Sequence, residues 1–106
     1  MASMSHPTTN TPKIAVTDWT FADLQLEEKI ASDAGFVLVA RQCRSSQELV
    51  ALCAEADAVI TQFAKVDASV IDAMSKARVI VRYGIGVDNV DLEAARRRNI
   101  PVCNIP

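Results

Sequence analysis

The sequence predicts an α/β domain with a doubly wound parallel sheet, and three observations predict it. Five short apolar runs rich in Val, Ile and Ala alternate with segments of helical period, only a few residues apart. That spacing belongs to βαβ units. Half of the residues are hydrophobic but only 5% are aromatic, which suits strands covered on both faces by helices. One run, Val79-Ile80-Val81, feeds a glycine loop, Gly84-Ile85-Gly86. Such loops mark ligand sites in open α/β sheets.

The 106 residues make one domain. Residues 1–12 (MASMSHPTTNTP) are polar and rich in Pro, Thr and Ser, with no apolar stretch, and read as a disordered tail. The domain proper is expected over residues 13–106. Ile14-Ala15-Val16 opens it as a strand. A helix is expected over residues 23–34, with Leu26, Ile30 and Ala34 on one face and Gly35 as its stop. Residues 36–40 (FVLVA) form the second strand.

Ser45 and Glu48 match a capping box, opening a helix with Leu49, Leu52, Cys53 and Ala56 in one stripe. Residues 58–61 form the third strand, and residues 62–65 a loop. Asp67 caps a third helix with Val70, Ile71 and Met74 facing inward. The Val79–Val81 strand and its glycine loop follow. Asp88, Asn89 and Asp91 can cap a fourth helix over residues 91–98, which Asn99 stops. Residues 101–105 form the fifth strand.

Several function classes are excluded. The net charge is −2 and no basic patch appears, so nucleic acid is not an expected partner. Arg96-Arg97-Arg98 falls at a helix end, where cations complement the dipole. No run reaches the ~18 apolar residues of a membrane span. Cys43, Cys53 and Cys103 form no CxxC pair, and the one histidine, His6, lies in the tail. A zinc site or disulfide framework is not expected. Buried free thiols fit a reducing, cytoplasmic setting. No paired nucleophile and base, and no metal cluster, stands out.

The sequence ends at Pro106, directly after a strand. A doubly wound sheet needs helices on both faces, so one face is expected to lack its last helix. A bare apolar face tends to find a partner, and a homodimer through that face is expected.

The glycine loop admits three readings. A dinucleotide site is the first, but Asn89 stands where the fingerprint has its third glycine. The loop also follows the fourth strand, not the first, and no acidic strand end follows ~20 residues later. The second is a purely structural turn. The third is a nest of backbone N–H groups for a small anion such as a carboxylate. A phosphoacceptor receiver domain shares the α/β pattern but needs an aspartate after the third strand, where Gln62 and Phe63 stand. Asp18 after the first strand is insufficient for it. The residues alone thus give a flavodoxin-like domain with an anion-binding loop.

The stretch RYGIGVDNVD (residues 82–91), followed by PVCNIP (residues 101–106), resembles the D-isomer-specific 2-hydroxyacid dehydrogenases. Their motif runs G-x-G-x-D-N/H-x-D, then a V-x-N-T/I-P strand end. The wording is similar to phosphoglycerate-dehydrogenase-like and C-terminal-binding-protein-like members, and the resemblance spans residues 13–106.

It implies the first part of a flavodoxin-like substrate domain, with a Rossmann domain inserted after the fifth strand and a final helix returning. NAD or NADP, and the catalytic arginine, acid and histidine, would then lie beyond Pro106, with no cofactor on this segment. Hydride transfer between nicotinamide and a small 2-keto or 2-hydroxy acid is the implied activity of the whole enzyme, the segment alone being inactive. The implied substrate-binding residues are Gly84, Ile85 and Gly86 of the loop, with Tyr83, Gln62 and Phe63 bordering the pocket. Asn104 and Pro106 match the strand end near the interdomain hinge. Two other expectations stay open: a free-standing, self-associating module without catalysis, and a small-ligand-binding domain.

Overall fold

The structure is a computed structural model and describes residues 11–105. Most of the expected tail, with His6, and Pro106 lie outside the described residues. Five strands, β1 (Lys13–Val16), β2 (Val37–Ala40), β3 (Ala58–Thr61), β4 (Ile80–Tyr83) and β5 (Val102–Ile105), form one sheet. The strand order is β2-β1-β3-β4-β5 and every neighbouring pair is parallel. The helices between them are α1 (Gln25–Asp33), α2 (Ser46–Cys53), α3 (Ala68–Asp72) and α4 (Leu92–Arg97). This is the flavodoxin-like order, and it reverses direction between β1 and β3.

One face of the sheet carries the closed core. Ala15, Val59 and Ile80 meet Leu49 and Cys53 of α2, Val70 and Ile71 of α3, and Ala94 and Ala95 of α4. Met74, Val66 and Ile100 complete this layer. Burial pushes the Cys53 thiol up to about 12, so it behaves as an inert apolar group.

The other face carries α1 alone. There the expected inward stripe is not the one buried. Leu24 and Ala31 are buried, while Leu26 and Ile30 are 67% and 60% exposed. Ile30 and Ala34 instead border an apolar groove with Ile14, Leu38, Ile60 and Tyr83 at its floor and sides. The helix starts at Gln25, and Ala31 is its buried residue. Cys103 also departs from expectation: it is an exposed free thiol, because β5 is an edge strand. Cys43 is half-buried.

The helix ends follow local chemistry. Ser45 Oγ accepts the Glu48 amide at 3.2 Å, while Glu48 Oε1 accepts the Arg44 amide at 2.6 Å, one residue earlier than in a standard capping box. Asp67 and Asp91 cap α3 and α4 through the Val70 and Ala94 amides. Gly35 (φ 87°) and Asn99 (φ 58°) end α1 and α4 in left-handed conformations. Each closes a Schellman motif, with the next amide reaching back to Ala31 O at 2.8 Å or Ala95 O at 2.9 Å. Arg98 is more than a solvated helix end. Its guanidinium donates to the Asp72 and Met74 carbonyls at 2.9 and 2.7 Å, satisfying the end of α3 from a different helix.

Asn99 tests this reading of the helix stop. Asn99→Gly should leave stability near wild type, whereas Asn99→Val should lower it by about 1–2 kcal/mol, since a β-branched residue resists that conformation. Urea titration of the two variants measures the difference; equal effects would count against the assignment.

Candidate functional site

The carboxyl ends of β1, β3 and β4 converge beside the β1/β3 reversal, where open α/β sheets bind ligands. The loop after β3 is the centre of this region. Its backbone at Gln62 is held through both the N–H and the carbonyl. The Gln62 amide donates to Asp18 Oδ1 at 3.1 Å, and its carbonyl accepts from Arg82 Nε at 2.8 Å. The Gln62 side chain accepts the Thr20 amide at 2.8 Å. Asp18 also takes the Phe63 and Ala64 amides on Oδ2, at 2.7 and 3.2 Å.

Asp18 is the anchor of the β3 loop. Thr17 Oγ1 lies 2.7 Å from Asp18 Oδ1 and 2.8 Å from Thr61 Oγ1, and both threonines are buried. Partial burial opposes the charge on Asp18. The hydrogen bonds from Thr17 and from the Gln62, Phe63 and Ala64 amides outweigh it and hold the carboxyl below its ordinary range. The residue therefore stays an anion that organises backbone.

Arg82 joins this loop to the glycine loop. Besides the Gln62 carbonyl, it donates from Nη1 to Gly86 O at 3.0 Å, and its guanidinium lies 5.5 Å from the centre of the Phe63 ring. Gly84 adopts φ 150°, and a Cβ there would collide with the Arg82 guanidinium. Its amide donates to Ile105 O at 3.0 Å. Asn104 Nδ2 holds the Ile85 carbonyl at 2.6 Å. The carbonyls of Ile85 and Gly86 are thus each held by a side chain, and among the described residues the Ile85 and Gly86 amides meet no acceptor. Ile85 is 79% exposed.

Asn89 and Asp88 do not cap α4; Asp91 alone does. Asn89 Nδ2 instead donates to Ala64 O at 2.8 Å. Beside it, the Val66 amide donates to Asn89 O at 2.8 Å and the Asp91 amide to Val66 O at 2.9 Å. The two loops are therefore stitched together over their length.

Of the residues singled out from sequence, Gln62, Phe63, Gly84, Ile85 and Gly86 come together around Arg82. Tyr83 alternates to the opposite face of the sheet. Its ring packs edge-on against Phe21 at 5.3 Å, and its hydroxyl donates to Glu27 at 3.4 Å. Burial, and then the Glu27 carboxylate, push the phenol up from its ordinary value. Asp18 and Arg82 were not among the residues singled out. Each carried a signal: a charged residue placed where an apolar strand run ends.

Comparison with known proteins decides the family. Residues 10–106 match the family described as D-isomer specific 2-hydroxyacid dehydrogenase, catalytic domain. The chain belongs to the D-isomer-specific 2-hydroxyacid dehydrogenase family. Human D-3-phosphoglycerate dehydrogenase is 47% identical over 79 residues, covering 74% of this chain and 15% of that protein. The Mycobacterium tuberculosis D-3-phosphoglycerate dehydrogenase is 43% identical over 60 residues, covering 56% of this chain and 11% of that protein. The NAD+-bound 3-phosphoglycerate dehydrogenase of Entamoeba histolytica superimposes with a TM-score of 0.83 at 33% identity, covering 91% of this chain and 33% of that one. The chain thus spans a small part of the length of the dehydrogenases it matches.

The anchoring role of Asp18 predicts a pH signature. Folding lowers its pKa, so its stabilisation is complete above the ordinary value of 3.8 and is lost as pH falls through the folded value. Asp18→Ala should therefore lower stability by about 1–3 kcal/mol at neutral pH, through amides left unpaired. The gap to wild type should close in strong acid. Urea melts from pH 7 down to pH 2 read this; a pH-independent gap would refute it.

Proposed function

We propose that residues 13–106 are part of the substrate domain of a dehydrogenase acting on a small 2-hydroxy or 2-keto acid. In this reading the Ile85 and Gly86 amides grip the substrate carboxylate. The observation that supports it is that the Ile85 and Gly86 amides meet no acceptor among the described residues, while the peptide that carries the Gly86 amide is held at its Ile85 carbonyl by Asn104. Hydrogen bonds to a charged group contribute about 1.5–3 kcal/mol each. Fixing the carboxylate fixes C2, and orientation of the reacting carbon lowers the barrier to its chemistry. Gln62 and Phe63 line one side of the pocket, and Tyr83 supports the loop from beneath the sheet.

NAD or NADP belongs to another domain of the larger protein, as does the group that moves the proton. The residues of this chain do not fit a dinucleotide. The amino end of α4, where a pyrophosphate would sit, is already filled by the Asp91 carboxylate, and Asn89 is engaged with Ala64 O. The 106-residue chain is therefore inactive alone. Free thiols at Cys43, Cys53 and Cys103 accord with a reducing cytoplasm. No helix of the described residues is long and apolar enough to cross a membrane.

A second reading, self-association without catalysis, is favoured by the apolar groove beside α1. Ile14, Leu38 and Ile60 border it together with the exposed Ile30. Sedimentation velocity across a concentration series decides it, a homodimer supporting this reading and a concentration-independent monomer opposing it.

The carboxylate grip is tested by titrating the isotopically labelled chain with D-lactate and pyruvate. The Ile85 and Gly86 amide resonances should move, with saturation near millimolar or weaker, roughly what two such bonds leave after the cost of association. NADH should leave the loop unmoved. Motionless amides with both acids, or a loop response to NADH, would overturn the assignment.

A further inference from the structure

We propose that the cavity at the amino edge of the sheet is a second ligand site, shaped for the zwitterion of an α-amino acid with an apolar side chain. It lies at the opposite ends of β3 and β4 from the Gln62 and glycine loops, and it does not depend on the carboxylate grip.

Three observations carry it. First, the cavity has the size and lining of a small-ligand site. Its volume is about 460 Å³, within the range that holds small molecules. Four strand starts converge on it: Pro12 before β1, Phe36 before β2, Asp57 and Ala58 at β3, and Arg78 and Val79 before β4. Phe36 and Val79 are half-buried and take no part in the closed core across the sheet. Covering such apolar surface with a ligand's side chain is favourable.

Second, the two charged residues that line it are opposite in sign and adjacent. The Arg78 amide donates to the Asp57 carbonyl at 2.9 Å, which sets the two side by side. Among the described residues neither side chain makes an ion pair, with the other or elsewhere. Asp57 gives Oδ2 to the Lys13 amide at 2.8 Å and keeps Oδ1 for another donor. Arg78 is exposed. An anion alone would be repelled by Asp57, and a cation alone by Arg78. The ammonium and carboxylate of an α-amino acid sit on one carbon and satisfy both groups at once.

Third, the walls are fixed before a ligand arrives. The Phe36 amide reaches back to Ala31 O at 2.8 Å in the Schellman motif that ends α1. On the β4 side the Val79 carbonyl accepts the Val59 amide at 3.1 Å, and the Lys13 amide holds Asp57. Binding therefore costs little ordering of the backbone. The side chain of the amino acid rests against Phe36 and Val79 while its charged end meets Asp57 and Arg78.

The test titrates the labelled chain with L-phenylalanine, with phenylpropionate, which lacks the ammonium, and with phenethylamine, which lacks the carboxylate. The Ala58 and Val79 amide resonances report this cavity, at the far end of the strands from Ile85 and Gly86. Phenylalanine should move them. Each singly charged analogue should bind about fivefold more weakly, and L-alanine about tenfold more weakly for want of the ring. Asp57→Asn keeps an acceptor for the Lys13 amide. It should erase the advantage of phenylalanine over phenylpropionate and preserve its advantage over phenethylamine. Arg78→Gln should do the reverse, and circular dichroism checks the fold of both variants. The site is overturned if phenylalanine leaves Ala58 and Val79 unmoved, if either analogue binds as tightly as phenylalanine, or if the two variants weaken all three ligands alike.

Discussion

The backbone of Gln62 is the point on which the site depends. Asp18 holds its N–H and Arg82 holds its carbonyl. The need for such a clamp follows from the sheet. In a parallel sheet every strand exits at the same edge, and no tight turn joins neighbours there. The loops at that edge would otherwise be independent flexible segments. Here a carboxylate after β1 and a guanidinium at the end of β4 tie the loop after β3 to both. The buried Thr17 and Thr61 hydroxyls keep Asp18 in place from below.

The two faces of the sheet serve different ends. The face under α2, α3 and α4 is a closed layer of small and branched side chains. The face under α1 is half open, with Tyr83 reaching into it from the strand that carries the glycine loop. One strand therefore links the functional edge to an uncovered apolar surface through alternate residues.

What the sequence made legible was what is local. The Ser45–Glu48 pair, the Asp67 and Asp91 caps, and the stops at Gly35 and Asn99 all act within a few residues of themselves. The alternation of runs gave the parallel fold for the same reason. The parts that escaped are non-local. Asp18 acts on residues far along the chain, Arg82 reaches back to Gln62, and Asn89 reaches to Ala64. No periodicity encodes such pairings. The α1 stripe failed differently. Leu26 and Ile30 share a helix face, but Leu24 and Ala31 are the residues buried, a choice made by packing against the sheet rather than by spacing along the helix. The glycine loop was legible as a loop; the groups bracing it were not.

Helix α3 is a single turn and a half, too short to hold itself together. Its first turn is closed by its own Asp67, but its last carbonyls are closed by Arg98 from beyond α4. Neither helix is thus an independent unit: when α4 frays, α3 loses its terminus. The residues between them hold β4, the glycine loop and Val90, which bridges back to Val66 just before α3. The glycine loop therefore lies between two helices that share a terminus, and fraying of either one reaches the segment that carries it.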